Sequence, residues 1–447
     1  MPGMTSRCKE RIRSATAVTL AFLIVFCAAK FPTTASAVPQ GDSWARLANM
    51  LTGRYAFGAA SVGGKIYAIS GGIFMGPMLN TNEVYDPATN SWTTKKPIPT
   101  GREGFGIAAV GNRIYCIGGY RERPMASMEI YDTLTDTWIT GAPMPKAREY
   151  ASANVVNGKI YVIAGKYGLY SPSDENQMYD LRTGEWTAKA PIPKPPGQHV
   201  SAVIGSKIYI ISDGLTQIYN AETDTWSTGP PIPVVGGTAV AAATTGTCAP
   251  KRIYVINGTT NWVFDPQTGW STVAGPHNSV LFAGVAVVND QIYRIGGTTP
   301  SYAQLDECLR YTPIGYTPLP PLSVSILSPS NNQPGLYSGV DLVFEVNREN
   351  VDIASASYRL DGQATVPVAG NVTIEGLSVG THSLSVKVTD VLENSVTTQA
   401  VSFTVGKEGR PEPFPIVWVA VAVIGSAAAV SFGLVAYLLR RKKRRAG

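Results

Sequence analysis

Three arginines invite a chemical reading. Arg54, Arg102 and Arg148 each stand twelve residues before the Ile of an Ile-Tyr pair, and Glu103 and Glu149 directly follow two of them. A guanidinium offers a planar fork of donors that fits carboxylates or backbone carbonyls. Tyr55, Tyr120, Arg121, Arg123, Tyr150, Lys166 and Tyr167 stand beside these positions or in the variable segments that follow them. Two roles are open to the three arginines: contact with a ligand, or pairing with the adjacent Glu and with loop carbonyls. The matching position further along holds Pro196 and then Val280.

Catalytic signals are thin. The chain has three His, of which His199 and His277 precede strands and can look inward, while His382 lies in a different region. There is no phosphate-binding loop, no glycine-rich dinucleotide signature and no metal-ligand cluster, so no cofactor or metal is expected. Outside residues 1–37 remain Cys116, Cys248 and Cys308, an odd number that excludes a full disulfide framework and leaves a Cys248–Cys308 pair open. Asn257-Gly-Thr and Asn371-Val-Thr are acceptor sequences for glycans.

The elements that must position these residues repeat. Ile-Tyr pairs begin at 66, 114, 160, 208, 253 and 292, most of them followed by a phrase such as EVYDPATNSW or EIYDTLTDTW. Trp92, Trp138, Trp186, Trp226 and Trp270 close those phrases. A period in the forties marks a propeller blade, a four-stranded unit unable to bury its faces alone. Within a blade, a small-residue segment such as 105–110 is the inner strand a, the Ile-Tyr segment is b, the Tyr-Asp phrase is c, and Trp opens the outer strand d. The sixth unit lacks a Trp, whereas residues 42–54, DSWARLANMLTGR, repeat the ten-residue Trp-to-Arg spacing of 92–102 and 138–148. The N-terminus is therefore expected to supply the missing strand through Trp44, with Tyr316 as the competing substitute.

Paired glycines after the second strand, then Tyr, then Trp, resemble the kelch repeat over about residues 42–316. The resemblance implies a six-bladed kelch-like β-propeller, all-β, over 38–318. Kelch-type copper oxidases need several His and Tyr ligands and a modified Cys, a set that two candidate His and Cys116 do not make. Sialic-acid epimerases resemble the same fold and use polar channel residues, a role that Arg54, Arg102, Glu103, Arg148, Glu149 and His199 would fill.

Residues 319–405 change to period-two strands without Cys or Trp, similar to the immunoglobulin-like β-sandwich of surface proteins. A secretory signal is expected over 1–37, a stalk over 406–415, a transmembrane helix over the uncharged 416–439, and a basic cytoplasmic tail at 440–447. With the cationic ends set aside, residues 38–415 carry a net charge of −4, which argues against nucleic acid as a partner. The expectation is a single-pass cell-membrane protein with its bulk outside, of prokaryotic, archaeal type by resemblance. It would be non-catalytic and bind an extracellular protein or glycan. A tethered carbohydrate enzyme and a structural envelope component are the alternatives.

Overall fold

The computed structural model describes residues 41–168, 171–212, 214–232, 239–336, 339–347, 352–391 and 394–406. The expected signal, stalk, membrane span and basic tail lie outside them. No helix long and apolar enough to cross a membrane occurs among the described residues.

Six four-stranded antiparallel sheets follow the repeat. In blade one the strands are Gly58–Val62, Lys65–Ile69, Asn82–Asp86 and Ser91–Lys95. The inner strands of the next four blades are Gly106–Val110, Ser152–Val156, Val200–Ile204 and Val240–Ala243. Small residues fill them because the blades crowd together there. Each inner strand touches the next in cyclic order, and that of blade six, Gly284–Val288, meets that of blade one. The Ile-Tyr strands are buried almost throughout and feed the inter-blade clusters.

The sixth sheet pairs Gly284–Val288, Gln291–Ile295 and Cys308–Thr312 with Ser43–Arg46. Trp44 lies opposite Tyr311, as Trp92 lies opposite Tyr85. The Tyr311 hydroxyl donates to Asp42 at 2.9 Å, repeating Tyr85 to Asn90 at 2.8 Å and Tyr219 to Asp224 at 2.7 Å. Tyr316 instead sits in a turn, its N–H donating to the Pro313 carbonyl.

Each of the six Trp indoles donates to a carbonyl of the preceding blade. Trp44 reaches Ala274 at 2.9 Å, and Trp92 reaches Ala48 at 2.8 Å. Trp138, Trp186, Trp226 and Trp270 reach Lys96, Ala142, Ala190 and Pro230. The insertion before the fifth Ile-Tyr strand is held by Asp290, which accepts the N–H groups of Thr247, Cys248 and Ala249 at 2.9, 2.7 and 3.0 Å. No disulfide joins Cys248 to Cys308.

Residues 323–405 form two further sheets. One orders Ser323–Ser328, Gly339–Asn347 and Val372–Glu375. The other runs Gln333–Leu336, Val401–Val405, Gly380–Asp390, Ile353–Leu360 and Val366–Val368. Val340, Leu342, Leu384, Val386, Val388 and Phe403 make the core between them. Val391 comes against the a-to-b turns at Gly63-Gly64 and Asn289-Asp290, on the propeller side away from the b-to-c loops. Asn371 is exposed, its Oδ1 accepting the Phe344 N–H at 3.1 Å.

In the sandwich, His382 sets Nδ1 2.7 Å from Asp361 and Nε2 2.7 Å from the Ser378 carbonyl. Both partners accept, so the doubly protonated ring fits. Its pKa is raised, first by the Ser378 carbonyl and then by Asp361. For Asp361, burial pushes upward, but hydrogen bonds from His382 and the Ser383 N–H outweigh it and lower the pKa.

Two predictions follow from this architecture. Trp44→Ala is expected to cost about 3 to 5 kcal/mol in denaturant unfolding. A loss under about 1 kcal/mol would mean that the N-terminal strand is not integral to the sheet. The His382 contribution is full below its unfolded pKa near 6.5 and is lost as pH rises through the raised folded value. That of Asp361 is full above its unfolded value and lost as pH falls through the lowered one. Melting of the sandwich against pH should therefore peak between about pH 4 and 6.5, and His382→Gln should flatten the alkaline limb.

Candidate functional site

The arginine position is settled by burial. Arg54, Arg102 and Arg148 are each 0% exposed. Arg102 Nη1 donates to the Gly118 and Ser127 carbonyls at 3.0 and 3.1 Å, and Arg148 Nη1 to those of Ala164 and Glu175, both at 3.1 Å. Arg54 and Arg102 pair with Glu83 and Glu129 of strand c. In blade three the partner is neutral, Gln177, at 3.0 Å. Burial lowers the Arg148 pKa to about 10. These side chains tie strand ends together inside their own blades, so the expected arc of ligand-facing guanidinia is corrected. Their partner is a strand-c residue rather than the adjacent Glu, because the fork fits the converging carbonyls of the b-to-c segment.

Blade six solves the same problem with Arg294 on its b strand. It donates to the Asn278 carbonyl at 3.1 Å and pairs with Glu307 at 2.6 Å. Sequence reasoning missed this pair, although Arg294 stands out as the charged residue inside an otherwise apolar Ile-Tyr strand. Blade four lacks the arginine, and there Gln217 turns to the Lys194 backbone, accepting at 3.0 Å and donating at 2.8 Å.

The backbone carbonyl of the arginine position does a second task. The Gly71 N–H donates to Arg102 O and the Gly119 N–H to Arg148 O, each at 2.9 Å, welding neighbouring blades. This explains the glycine at that position, the first of Gly71-Gly72 and the second of Gly118-Gly119. Gly119 has φ +97°, and an added Cβ would lie 2.8 Å from both the Glu103 carbonyl oxygen and Phe105 Cβ.

Four adjacent blades, six, one, two and three, carry long b-to-c segments anchored to the d-to-a connection. Isolated bridges pair Leu281 with Thr298, Tyr55 with Gly72, Glu103 with Tyr120, and Glu149 with Lys166. In blade two the segment folds into a small hairpin, Tyr120–Arg121 against Arg123–Pro124, with Arg121 and Arg123 exposed. Phe74 and Tyr302, from blades one and six, stack at 4.3 Å. Tyr167 is also exposed. Blades four and five have two-residue connections instead, between Lys207–Ser212 and Leu215–Asn220 and between Ile253–Asn257 and Thr260–Asp265. Among the described residues the face is a wall on one side and low on the other.

At its centre the d-to-a residues form a belt. The Ala56 N–H donates to Phe282 O at 3.0 Å, Gly104 to Ala56 O at 2.8 Å, and Tyr150 to Gly104 O at 2.6 Å. Ala56, Tyr150 and Phe282 hold left-handed φ values of +50°, +53° and +54°. Inside the belt opens a cavity of about 180 Å³, lined by Phe57, Phe105, Tyr150, Gln198, His199 and Phe282, among others. Tyr55 and Tyr150 flank Phe282 with ring centroids 6.0 and 6.3 Å away. Phe57, Phe105 and Phe282 were not foreseen as part of a site; their signal is an aromatic recurring two or three residues after the arginine position.

Titratable groups gather around the belt. Burial raises the Glu103 and Glu149 pKa values, opposed by the Tyr55 hydroxyl in the first case and by Lys166 in the second. Lys166 lies 5.8 Å above the Tyr150 ring. Burial, reinforced by the charge of Lys166, lowers the His199 pKa to about 4, so this imidazole is neutral across the physiological range. His277 does not reach the axis: it is exposed, with Nε2 3.1 Å from Glu307. Of the residues expected at the mouth, Tyr55, Glu103, Glu149, Tyr150 and Lys166 come together there. Tyr120, Arg121, Arg123 and Tyr167 belong to the wall.

Breaking an arginine staple should act on stability. Arg102→Ala, which leaves Glu129 buried and uncompensated, is expected to cost about 3 to 5 kcal/mol, while Arg102→Met with Glu129→Met should recover most of it. Denaturant unfolding of the two variants measures both, and a cost below about 1 kcal/mol for the single change would return the arginine to ligand binding.

Two family models match the sequence: the FKB95 Kelch-repeats domain over residues 94–230 and the Kelch motif over residues 53–98. Among solved structures, one titled "Structure of YjhT" is similar over 59% of this chain and 96% of its own, with a TM-score of 0.51 and 14% identity, a likeness of fold alone. No curated protein matches. The chain thus carries kelch repeats over residues 53–230, and its six four-stranded sheets form a β-propeller.

Proposed function

We propose that the propeller is a non-catalytic recognition module that binds an extracellular protein or glycan on the face bearing the b-to-c loops. The observation that carries this is the wall on blades six, one, two and three, in which each long segment is bridged to its own d-to-a connection. Loops fixed in this way lose little conformational entropy on binding. The exposed side chains on the wall, Phe74, Arg121, Arg123, Tyr167 and Tyr302, are of the types enriched at interfaces. In this reading the N-terminal strand serves to close the ring of blades. The second domain is an immunoglobulin-like spacer at the opposite face, and residues 416–439 anchor the chain in the cell membrane with the bulk outside. The wall would then face away from the membrane.

A second reading, an extracellular propeller enzyme acting on carbohydrate, draws on one observation: two carboxyls with raised pKa values, Glu103 and Glu149, stand near Lys166 and Tyr150. The burial of Arg54, Arg102 and Arg148 removes half of the polar set that this reading requires.

Glycan-array and peptide-library binding by the chain, beside Arg121→Ala/Arg123→Ala/Tyr167→Ala, tests the recognition reading. Binding at least about 10-fold weaker in the triple variant is expected, since surface contacts of this kind contribute about 1 kcal/mol or more together only when they form the interface centre. Unchanged binding would move the site off the wall, and turnover of a glycan probe would favour the enzyme.

A further inference from the structure

The b-to-c segment of blade one is apolar where a surface loop is normally polar. Its residues 73–79, IFMGPML, run for seven positions without a charged side chain or a side-chain N–H or O–H. Exposed apolar runs of this length are avoided unless they serve an interface. Met75 at the tip is 94% exposed, with Phe74 at 41% and Tyr302 of blade six at 47%. The rings of Phe74 and Tyr302 lie nearly parallel at 4.3 Å, so the two segments make one apolar knob.

Both tips are pinned by their own backbones. The Ile73 N–H donates to the Pro77 carbonyl at 3.3 Å, the Gly76 N–H to Ile73 O at 2.8 Å, and the Leu79 N–H returns to Gly71 O at 2.8 Å. In blade six the Thr299 N–H donates to Ala303 O at 3.0 Å and the Tyr302 N–H to Thr299 O at 2.8 Å. Met75 and Tyr302 hold φ values of +57° and +62°, in the left-handed region that a Cβ disfavours. A knob set on hydrogen-bonded turns loses little freedom when it is covered.

Beside the knob, blade two raises a cationic edge. Arg121 and Arg123 are direct cross-strand partners in its hairpin, a placement of like charges that opposes itself. Both are exposed, and among the described residues neither forms an ion pair, not even with Glu122 between them. Glu103 joins the feet of the two segments: its backbone pairs with Tyr120, and its Oε2 lies 2.6 Å from where a Cβ on Gly72 would stand. Sugar hydroxyls would find no side-chain donor on residues 73–79, and bilayer-binding surfaces draw on clusters of about 4 to 8 basic residues rather than one pair. Paired guanidinium forks fit carboxylates.

We propose that the knob and the arginine pair together dock a polypeptide segment whose apolar face covers Phe74, Met75 and Tyr302 and whose Asp or Glu carboxylates meet Arg121 and Arg123. The inference rests on the loop face being a recognition face and narrows its partner to an acidic, amphipathic protein segment. Aromatic, Met and Arg side chains are the types enriched where proteins meet.

The test uses the full chain in zwitterionic nanodiscs, with empty nanodiscs as the blank and three labelled amphipathic peptides as probes: Leu/Glu, Leu/Lys and Ser/Glu. Fluorescence anisotropy should show the Leu/Glu peptide binding saturably and at least about 10-fold more tightly than either of the others. Phe74→Ser/Met75→Ser should weaken it by at least about 10-fold, and Arg121→Glu/Arg123→Glu should reverse the preference toward Leu/Lys. If the double serine variant fails to fold, Met75→Asp, at an almost fully exposed residue, reads the same loss. Equal binding of Leu/Glu and Leu/Lys, no saturable binding of Leu/Glu, binding unchanged in the knob variants, or preference for phosphatidylglycerol vesicles would overturn the proposal. An array glycan bound by the wild type and lost in Arg121→Ala/Arg123→Ala/Tyr167→Ala, without binding of Leu/Glu, would overturn it while leaving the recognition reading standing.

Discussion

An indole N–H drawn partly out of solvent has to find an acceptor, and in the six blade-closing Trp of this propeller the acceptor always belongs to the neighbouring blade. That single constraint organises the molecule. The six Trp side chains each bury a broad ring over the packed Tyr or Phe of strand c, at centroid separations of 4.9 to 5.2 Å, and each hands its one donor across the blade boundary. The same Trp thus packs its own sheet and fixes the distance to the next. Because the bond runs always to the preceding blade, the chain of bonds is directional and has no end: Trp44 serves Ala274 of blade five, and the segment after Trp44 presents Ala48 to Trp92 of blade one. Tail residues before blade one are therefore required structure. Without them, blade five would keep an unanswered carbonyl, blade one an unanswered indole, and strand Cys308–Thr312 an open edge.

The interior polar groups obey a second rule, that a charge enters only with its partner. Arg54 brings Glu83 and Arg102 brings Glu129, whereas the Arg-free blade four has Gln217, satisfied by one backbone segment. Blade six reverses the strands, with Arg294 on b and Glu307 just before c, and arrives at the same neutral sum. Blade three, with Arg148 and Gln177, departs from the rule and leans on carbonyls of strand ends instead. The blades that hold an arginine are also those whose b-to-c segments are long, since a guanidinium in the core can satisfy carbonyls that a tight two-residue connection would pair internally. The division into a walled half and a low half thus begins in the core.

Much of the scaffold was legible from the sequence. Repeats fix blade number, strand identity and the Trp44 register because period and spacing survive any change of environment. The arginines stayed between two roles for a physical reason: their position in the repeat is on a connection, and connections are usually solvent-exposed, but here the side chain folds back under its own loop. Nothing in Arg-Glu or Arg-Tyr reveals that direction. The cue lay thirty residues away, in Glu83 and Glu129, and had to be read as a pair with the arginine rather than as part of a strand. The axial cavity was hidden for another reason. Its lining comes from one or two residues of each blade, so no stretch of sequence contains it, and Phe57, Phe105 and Phe282 read as ordinary strand-flanking hydrophobics.

The belt itself separates scaffold from function. Its hydrogen bonds need a left-handed backbone at each member, and Gly104, with no Cβ, supplies it without cost. Ala56, Tyr150 and Phe282 make the same backbone bonds in a conformation that costs about 1 to 2 kcal/mol per residue because each carries a Cβ. Asparagine or glycine at those positions would serve the ring of blades as well and at lower cost. All three strained residues line the axial cavity, Tyr150 and Phe282 with their rings, alongside Phe57 and Phe105, which enter without strain. A backbone cost that the fold does not require, concentrated on the side chains that shape one small space, identifies that space as what the strain maintains. The scaffold explains why a belt exists, and only the cavity explains why half of its described members are aromatic.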